Sequence, residues 1–455
     1  MSAAPTLRRP WREGIETVLM AVLLALFLKH FVVEAYRIPT GSMQPTLIGD
    51  REAAVKDRIL VDKLAYLVRA PERWEVAVFR FPLDRSRSFV KRIAGVGPEE
   101  LRIWNGDVWR REPGAEWTIA RRPAGVMAEH WKRIAVPEDE LTRWVPQDLE
   151  PDARWGGEGR ALKARGSGRA TFRGGREPLR DDYFDGYPPA LLEWLPAHAR
   201  ESGENEVGDL RLTGTITALP GLVSFTVELR EGGRRYRFVL PGPEAPEEAE
   251  LAIEAGEHAG PGAAPARVAD RLPAGRAVVF ALENLDDVLT LELDGQRLVL
   301  PIRAAHDQFS SVALELEGEG ADLAELELFR DVYYLSEGAD PITVPAGHYF
   351  MLGDNTQDSS DSREWRFAVY DVGGTRLRGA FQAGENPRTV PGPEGPLLRL
   401  VDEWGERHWL PADSAVRRAP EAAPFVPRAL LTGRALAVFW PQDPRRGIWR
   451  LKWVK

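Results

Sequence analysis

Ser42 lies in a segment suited to carrying a nucleophile, residues 36–47 with the sequence YRIPTGSMQPTL. Pro39 and Pro45 each fix their own φ at about −65° and push the residue before them toward extended geometry. We therefore expect a stiff, extended loop around Ser42, in which Gly41 allows another backbone to approach closely. A hydroxyl on such a loop could attack a carbonyl carbon. The alternative is a linker with an incidental serine.

Lys91 is a second candidate, because it stands within the strand-like sequence SFVKRIAGVG at residues 88–97. With the two-residue period of a strand, Phe89, Lys91 and Ile93 share one face, so the amine has apolar neighbours. Apolar burial lowers the pKa of a lysine, and a neutral amine can act as a base. A lysine that protects an edge strand from pairing would give the same pattern.

A third concentration of polar residues, GDNTQDSSDSREW at residues 353–365, follows the apolar segment 346–352. Clusters of Asp and Ser with Gly usually form turns, and they can also bind calcium. The spacing does not match a calcium-binding EF-hand, which needs Gly at the sixth loop position and Glu at the twelfth. The seven histidines form no HxxxH pair. We predict no metal ligands and no cofactor.

An apolar run at residues 15–33 precedes these motifs, and Arg8, Arg9 and Arg12 precede the run. As a helix, it would rise roughly 28 Å, close to the thickness of a hydrocarbon core. The arginines predict a cytoplasmic N-terminus at residues 1–14, one transmembrane anchor, and all later residues outside. A cleaved signal peptide is the alternative. It is disfavoured because no small-residue cleavage site follows Leu28.

The sequence pattern of the rest of the chain predicts a mostly β protein. Residues 55–104 predict antiparallel strands, and residues 209–330 predict about eight alternating strands of a β-sandwich or jelly roll. Asp294-Gly295 is a strong signal for a two-residue hairpin within that run. Residues 105–205 predict irregular structure with short strands, residues 242–265 a loop, and residues 425–441 a final strand.

Length and composition restrict the class of protein further. The 455 residues, 44% of them hydrophobic, suffice for two or three packed domains. A net charge of −9 with scattered Lys and Arg gives no nucleic-acid-binding face. The absence of cysteine excludes disulfides, a thiol nucleophile and thiolate metal sites.

Taken together and in order, these motifs resemble those of the type I signal peptidases. YRIPTGSMQPTL resembles that family's nucleophile motif, FVKRIAGVG its general-base motif, and GDNTQDSSDSREW its late Gly-Asp-Asn motif. DRILVDKLAY, at residues 57–66, resembles the strand between the first two. Four ordered motifs are much more specific than one. The resemblance covers residues 8–104, 341–365 and 425–441, which is under half of the chain.

The resemblance implies a Ser–Lys serine endopeptidase and a role for each matching residue. Ser42 is the implied nucleophile, Lys91 the general base, and Thr40 the partner of the Ser42 backbone N–H in the oxyanion hole. The implied supporting residues are Ser359, which orients Lys91, the ion pair of Asp361 and Arg363, and the floor residues Asp354 and Asn355. The implied substrate-binding residues are Ile38, Pro39, Phe89 and Val90.

The resemblance also implies how the chain is divided. The catalytic core comprises residues 34–104, 337–365 and 425–455, with insertions at 105–336 and 366–424. The larger insertion resembles the concanavalin and laminin-G-like jelly rolls in its strand pattern alone. The implied substrates are secretory preproteins, cleaved after small residues at positions −1 and −3. The implied location is the bacterial plasma membrane, with a single span in the lipid bilayer and an extracytoplasmic catalytic domain.

Two alternatives belong to other functional classes. The first is a membrane-tethered protein in which a β-sandwich, carried by a protease scaffold that has lost its activity, binds a glycan or a protein partner. Intact Ser42 and Lys91 disfavour this alternative. The second is a self-cleaving Ser–Lys repressor, which would need a DNA-binding helix-turn-helix where this chain has its apolar run.

Overall fold

The computed structural model describes residues 10–49, 55–134, 144–175, 178–188, 191, 203–306, 309–336, 340–381, 386–443 and 448–455. It is mostly β, as predicted. Contacts divide the chain into two compact units. The first unit comprises Met1–Glu100, Glu337–Asp354 and Asp358–Lys455, and the second comprises Leu101–Ser336 and Asn355–Gln357. The second unit begins slightly before the insertion boundary predicted at Asn105.

The N-terminal helix extends over Pro10–Phe27 and continues as a π-helical turn, Leu28–Val32. It therefore starts before the predicted residue 15, and strand geometry begins at Val33. Its large apolar side chains are exposed, for example Val18 at 64% and Met20 at 67%. Within the described residues, no helix combines the length and the apolar character needed to cross a membrane. Arg8 and Arg9 lie outside the described residues.

An eight-stranded antiparallel sheet forms the centre of the first unit. Seven strands follow one another in the spatial order Val33–Arg37, Arg58–Asp62, Leu431–Trp440, Val76–Phe81, Asp84–Val96, His348–Leu352 and Phe425–Pro427. The eighth, Lys452–Trp453, pairs with Leu431–Trp440. Asp84–Val96 is thus an interior strand, with Val76–Phe81 on one side and His348–Leu352 on the other. Short helical turns occur at Ala65–Val68 and Arg428–Leu430.

Both faces of this sheet are covered by apolar clusters, which explains the nearly continuous apolar sequence VAVFRF of the Val76–Phe81 strand. Phe79 and Phe81 belong to one cluster, and Val76 and Val78 belong to the other. Burying each large side chain contributes about 1.5–3 kcal/mol. Residues 36–47 contribute to the second cluster, so the candidate nucleophile loop is packed onto the sheet.

The second predicted insertion, residues 366–424, forms two small antiparallel sheets in the first unit. One contains the strands Arg366–Val372, Thr375–Ala380, Val416–Arg417 and Glu421–Ala422. The other contains Arg388–Gly392, Gly395–Val401 and Arg407–Pro411. Gly373 and Gly374 have positive φ angles of 56° and 84°, which allow the tight turn within the first sheet.

Two antiparallel seven- and eight-stranded sheets form the second unit around one shared apolar core. All eight strands predicted at residues 209–330 are present, as Leu210–Ala218, Leu222–Glu231, Arg234–Pro241, Ala277–Leu285, Val288–Leu293, Gln296–Pro301, Ser310–Gly318 and Gly320–Arg330. The predicted hairpin is confirmed, because Leu293 pairs with Gln296 and both Asp294 and Gly295 have positive φ. The jelly-roll connectivity stays a prediction.

Further short strands, most of them within residues 105–205 where short strands were predicted, supply the outer parts of these sheets. The added strands are Lys132–Arg133, Trp144–Gln147, Arg154–Glu158, Ala161–Arg165, Gly168–Phe172, Leu251–Glu254 and Ala266–Val268. The prediction of a plain loop at residues 242–265 is therefore wrong over Leu251–Glu254. That strand has only four residues, and the Pro and Gly residues before and after it obscure its alternation of apolar and polar side chains. The unit also contains Asp107–Arg111, Thr118–Ile119 and the helical segments Ala124–His130, Arg173–Gly175 and Gly256–His258.

Candidate active site

The loop that carries Ser42 is folded into hydrogen-bonded turns. Gln44 N donates to Gly41 O at 2.9 Å, and Leu47 N donates to Met43 O at 2.8 Å. The prediction of an extended loop is therefore wrong. Met43 and Leu47 are fully buried, and a backbone that leaves water must pair its own N–H groups. The Ser42 side chain stays half-buried.

The predicted residues just before Ser42 divide by exposure. Ile38 is buried in the apolar cluster beneath the loop, whereas Pro39 and Thr40 are exposed. A hydroxyl at Thr40 is thus open to a bound molecule. Ile38 supports the loop from below, and its place in the core leaves little of it for contact with a substrate.

Lys91 is buried in the interior of the sheet, with 2% of its surface exposed. An interior strand has no free edge to protect, so the edge-strand alternative for Lys91 is excluded. Burial lowers the pKa of the Lys91 amine to about 8, although the nearby Asp361 carboxylate acts in the opposite direction. The predicted apolar environment is present, since Phe89 and Ile93 both pack in the same cluster.

A chain of hydrogen bonds orients the Lys91 amine. Lys91 Nζ donates to Ser359 Oγ at 3.0 Å, and Ser359 Oγ donates to Asp361 Oδ2 at 2.8 Å. Arg363 donates to both Asp361 oxygens at 2.8 Å, which fixes the carboxylate as an acceptor. Because the Ser359 proton points to Asp361, the Ser359 oxygen accepts an N–H of Lys91. The lone pair of a neutral Lys91 amine is left for another donor.

Gly353 is the point where the Ser42 loop meets the Ser359 loop. A Cβ placed on Gly353 would lie 2.1 Å from Ser359 Oγ and 2.4 Å from the Ser42 carbonyl oxygen. Any residue with a Cβ at position 353 would therefore collide with both atoms, so the close approach of the two loops requires glycine there. Among the hydrogen bonds of the described residues, none joins Ser42 Oγ to Lys91 Nζ. Such catalytic bonds are often long in the unliganded state and tighten when substrate binds.

Asp354 forms a buried ion pair with Arg92, a residue that sequence reasoning did not select. Arg92 Nε and Nη2 donate to the two Asp354 oxygens at 2.8 and 2.7 Å, and both side chains are almost fully buried. Thr46 Oγ1 donates to Asp354 Oδ2 at 2.6 Å. The pair therefore links the strand of Lys91 to the loop of Ser42. The sequence did contain a signal for Arg92, because an arginine directly beside Lys91 within an apolar strand needs a buried partner.

The other predicted residues are distributed as follows. Phe89 stacks on Phe81 with ring centroids 4.1 Å apart and meets Trp365 edge to face. Val90 packs against the opposite cluster, as strand alternation requires. Asn355 groups with the second unit, where Gln357 Nε2 donates to the Asp181 carbonyl at 2.6 Å.

Carboxylates close enough to share a metal ion occur at two places among the described residues, and neither includes a predicted catalytic residue. One group is Asp402, Glu406 and His408. The other is Asp107, Asp209, Asp286 and Asp331, and there Arg122 forms ion pairs with Asp286 and Asp331. That arginine already supplies positive charge to the second group.

The family model described as "Signal peptidase, peptidase S26" matches residues 11–141 and 294–376. "Probable signal peptidase I-2" of Synechocystis is 38% identical over 136 residues, which cover 29% of this chain and 58% of the relative. "Signal peptidase I" of Leptolyngbya laminosa is 34% identical over 148 residues, covering 31% and 68%. That of Pseudomonas aeruginosa is 31% identical over 160 residues, covering 30% and 51%. The chain thus spans a little over half the length of the Synechocystis relative.

Solved structures that resemble part of the chain have low sequence identity and low TM-scores. The galectin LEC-6 of Caenorhabditis elegans is 12% identical with a TM-score of 0.21, covering 28% of this chain and 84% of the galectin. A carbohydrate-binding module, CBM66, from Bacillus subtilis is 10% identical with a TM-score of 0.21, covering 42% and 94%.

Proposed function

This chain belongs to the S26 family of signal peptidases, and on that premise we propose that it cleaves N-terminal signal peptides from exported preproteins as a Ser–Lys endopeptidase. Ser42 is the nucleophile and Lys91 the general base. The observation that carries the proposal is the buried Lys91 amine, held by Ser359 within the sheet on which the Ser42 loop packs.

The lowered pKa of Lys91 makes the amine usable at neutral pH. With a pKa of about 8, about a fifth of the amine is neutral at pH 7.4, against about one part in a thousand for an ordinary lysine. Lys91 Nζ takes the proton of Ser42 Oγ while this oxygen bonds to the substrate carbonyl carbon. The ammonium then gives its proton to the leaving amine as the peptide bond breaks. A water activated by the neutral amine hydrolyses the resulting ester of Ser42.

The oxyanion that forms during attack needs donors placed in advance. The Ser42 backbone N–H and the Thr40 hydroxyl are the proposed donors, and the exposure of Thr40 supports a position open to substrate. Each donor of this kind is worth about 3 kcal/mol to the transition state. Ser359, Asp361 and Arg363 act on Lys91, and Asp354 acts on the Ser42 loop through Thr46.

We also propose that Phe89 and Val90 line the pockets for small side chains at positions −1 and −3, with Pro39 at the margin and Ile38 as a support beneath the loop. Phe89 is held by Phe81 and Trp365, so it cannot move aside for a bulky residue. A rigid aromatic wall of this kind restricts the size of the side chain that fits.

Preproteins carry their signal peptides at the lipid bilayer, and we propose that residues 15–33 anchor the enzyme in the bacterial plasma membrane. The exposed apolar side chains along these residues support the proposal, as does the arginine-rich segment before them. Protease added to intact spheroplasts should digest everything beyond residue 50. Full protection of those residues would contradict an extracytoplasmic catalytic unit.

The activity itself is tested with purified protein in detergent and a synthetic preprotein that has Ala at −1 and −3. We expect one cut after the −1 residue, established by the N-terminal sequence of the product, and none with Ser42→Ala. Substrates with Trp at −1 or −3 should resist cleavage. Equal cleavage by the Ser42→Ala protein would assign the activity to another residue or to a contaminant.

The second unit supports a further proposal, that it binds a glycan or a protein partner. A cleft of about 450 Å³ is lined by Trp155 together with Leu149, Lys163 and Arg165. An aromatic face beside hydrogen-bond donors suits a sugar ring. Full-length protein should sediment with chitin or purified peptidoglycan, and Trp155→Ala should reduce that binding. If the protein binds neither material, the glycan proposal is contradicted and a protein partner remains.

A further inference from the structure

Arg450 lies in the segment after Trp440, whose basic sequence ends in RLKWVK. Its side chain is only 7% exposed, which is unusual for an arginine. Arg450 Nε and Nη2 donate to the two oxygens of Asp57 at 3.1 and 2.6 Å. Nη2 also reaches the backbone carbonyls of Pro45 and Thr46, at 3.5 and 3.4 Å. The guanidinium thus contacts the backbone of the loop just after Ser42.

Asp57, the partner of Arg450, closes both ends of the Ser42 loop. The Asp57 backbone pairs with the loop twice, since Ile38 N donates to Asp57 O at 2.9 Å and Asp57 N donates to Ile48 O at 2.8 Å. Its side chain also accepts Ile48 N at 2.7 Å. Asp57 is fully buried, so its charge requires the Arg450 guanidinium nearby.

Thr46 is held from two sides by two buried Arg–Asp pairs. Its hydroxyl donates to Asp354, the partner of Arg92, and its carbonyl accepts from Arg450. Because Arg92 directly follows Lys91 in the strand, the first contact fixes the loop relative to the base. The second contact, from Arg450, fixes the loop backbone from its other side.

Apolar packing adds to this contact. Val454 is 3% exposed and belongs to the same cluster as Met43 and Leu47, two buried residues that follow Ser42. Val454 N donates to Leu436 O at 3.0 Å, which secures the segment to the sheet. The segment that contains Arg450 and Val454 therefore packs beneath the turn that presents Ser42.

We propose that Arg450 is a positioning residue for catalysis, which sets the distance and direction of Ser42 relative to Lys91 by clamping the backbone at Pro45 and Thr46. The inference rests on the proposed function, since it assumes that Ser42 is the nucleophile. Only a planar guanidinium can contact both Asp57 oxygens and the loop carbonyls at once, whereas a lysine ammonium acts as a point charge. Arg450→Lys therefore keeps the charge and loses the clamp.

The test compares Arg450→Lys and Arg450→Met with the parent enzyme on a synthetic preprotein in detergent. We expect kcat to fall about 10- to 100-fold in both variants, the loss expected for a displacement of a reacting atom by about 1 Å. KM should stay within about twofold, because the substrate contacts are unchanged. The pH midpoint of kcat/KM should also stay unchanged, since Arg450 acts on the serine loop and leaves the environment of Lys91 intact.

Several controls separate positioning from general stabilisation. Arg418→Met breaks an exposed arginine pair with Asp371 in the same unit, and it should keep parental kcat. Methylguanidinium added to Arg450→Ala should restore part of kcat if the empty clamp is the cause. Circular dichroism gives the folded fraction by which every rate is corrected. If Arg450→Met does not fold, Arg450→Lys carries the test.

The results distinguish this inference from the proposed function. Cleavage by the parent and its loss in Ser42→Ala test the proposed function alone. If both occur while folded Arg450→Lys and Arg450→Met retain parental kcat, the positioning role is wrong and Arg450 serves stability only. A rise in KM with unchanged kcat would equally contradict positioning, because it would place Arg450 in substrate binding.

Discussion

Replacement of Lys91 by Met should stabilise the protein at neutral pH while removing its activity. Lys91 is buried, and its pKa falls from 10.5 to about 8 because burial disfavours the charged form. A charged group held in such a place opposes folding. Methionine fills a similar volume without a charge, so the folded state no longer has to bury an ammonium.

The expected gain follows from the size of the pKa shift. One unit corresponds to about 1.36 kcal/mol, so the shift of Lys91 is equivalent to about 3 kcal/mol of lost stability when both states are protonated. Loss of the hydrogen bond to Ser359 should cost about 1 kcal/mol. The net gain for Lys91→Met near pH 7 is therefore about 2 kcal/mol.

The pH dependence of this gain is its distinguishing feature. Between about pH 8 and 10.5, the unfolded parent binds a proton at Lys91 that the folded parent has released, so parental stability rises with pH. Below pH 8 the parent carries the full penalty, and above 10.5 it carries none. The advantage of Lys91→Met should thus be constant below pH 8 and disappear at about pH 9.5. Above pH 10.5 the variant should be about 1 kcal/mol less stable than the parent, because only the lost hydrogen bond to Ser359 remains.

Urea denaturation of both proteins at pH 6.5 and pH 10.5 measures this difference, because all other titrating groups are shared. Lys63→Met is the matched control, since it removes a partly exposed lysine from the same unit. If the stability difference between Lys91→Met and the parent is the same at both pH values, the claim that burial lowers the pKa of Lys91 is refuted. In the parent, kcat/KM should rise with pH with a midpoint at about 8, as deprotonation of the base requires.

Three further substitutions test the surroundings of the dyad. Gly353→Ala places a Cβ 2.4 Å from the Ser42 carbonyl and should lower kcat at least about 100-fold; parental kcat would show that the loops separate freely. Thr40→Val should lower kcat about 10²-fold with normal folding, and an unchanged rate would assign the oxyanion donor elsewhere. Asp354→Asn leaves the buried Arg92 charge without a carboxylate and should cost about 3–5 kcal/mol of stability in urea denaturation. A loss below about 1 kcal/mol would mean that Arg92 finds compensation.

Patterns with a strong local cause were predictable from the sequence. The alternating strands at residues 209–330 and the Asp294-Gly295 hairpin appear as expected, because side-chain alternation and positive φ are properties of short segments. The apolar setting of Lys91 was predictable for the same reason. Residues 353–363 were recognisable as a polar loop, and the pairing of Asp361 with Arg363 requires only that the loop turn back on itself.

Features set by distant contacts were not predictable. The two prolines near Ser42 suggested an extended loop, yet burial of Met43 and Leu47 imposes hydrogen-bonded turns. Arg92 stands out within its apolar strand, but its partner Asp354 is separated from it by hundreds of residues, so no local pattern could show that the two pair. The same holds for Arg450 and Asp57, whose contact depends on how the end of the main sheet folds back.

The most direct test of the Ser–Lys mechanism is a double-mutant cycle on preprotein cleavage with Ser42→Ala, Lys91→Ala and the double variant. Residues that act as one unit show losses that do not add. We predict that each single substitution abolishes measurable cleavage by folded protein and that the double variant is no worse than either. Substantial cleavage by folded Lys91→Ala, or an added loss in the double variant, would contradict the mechanism.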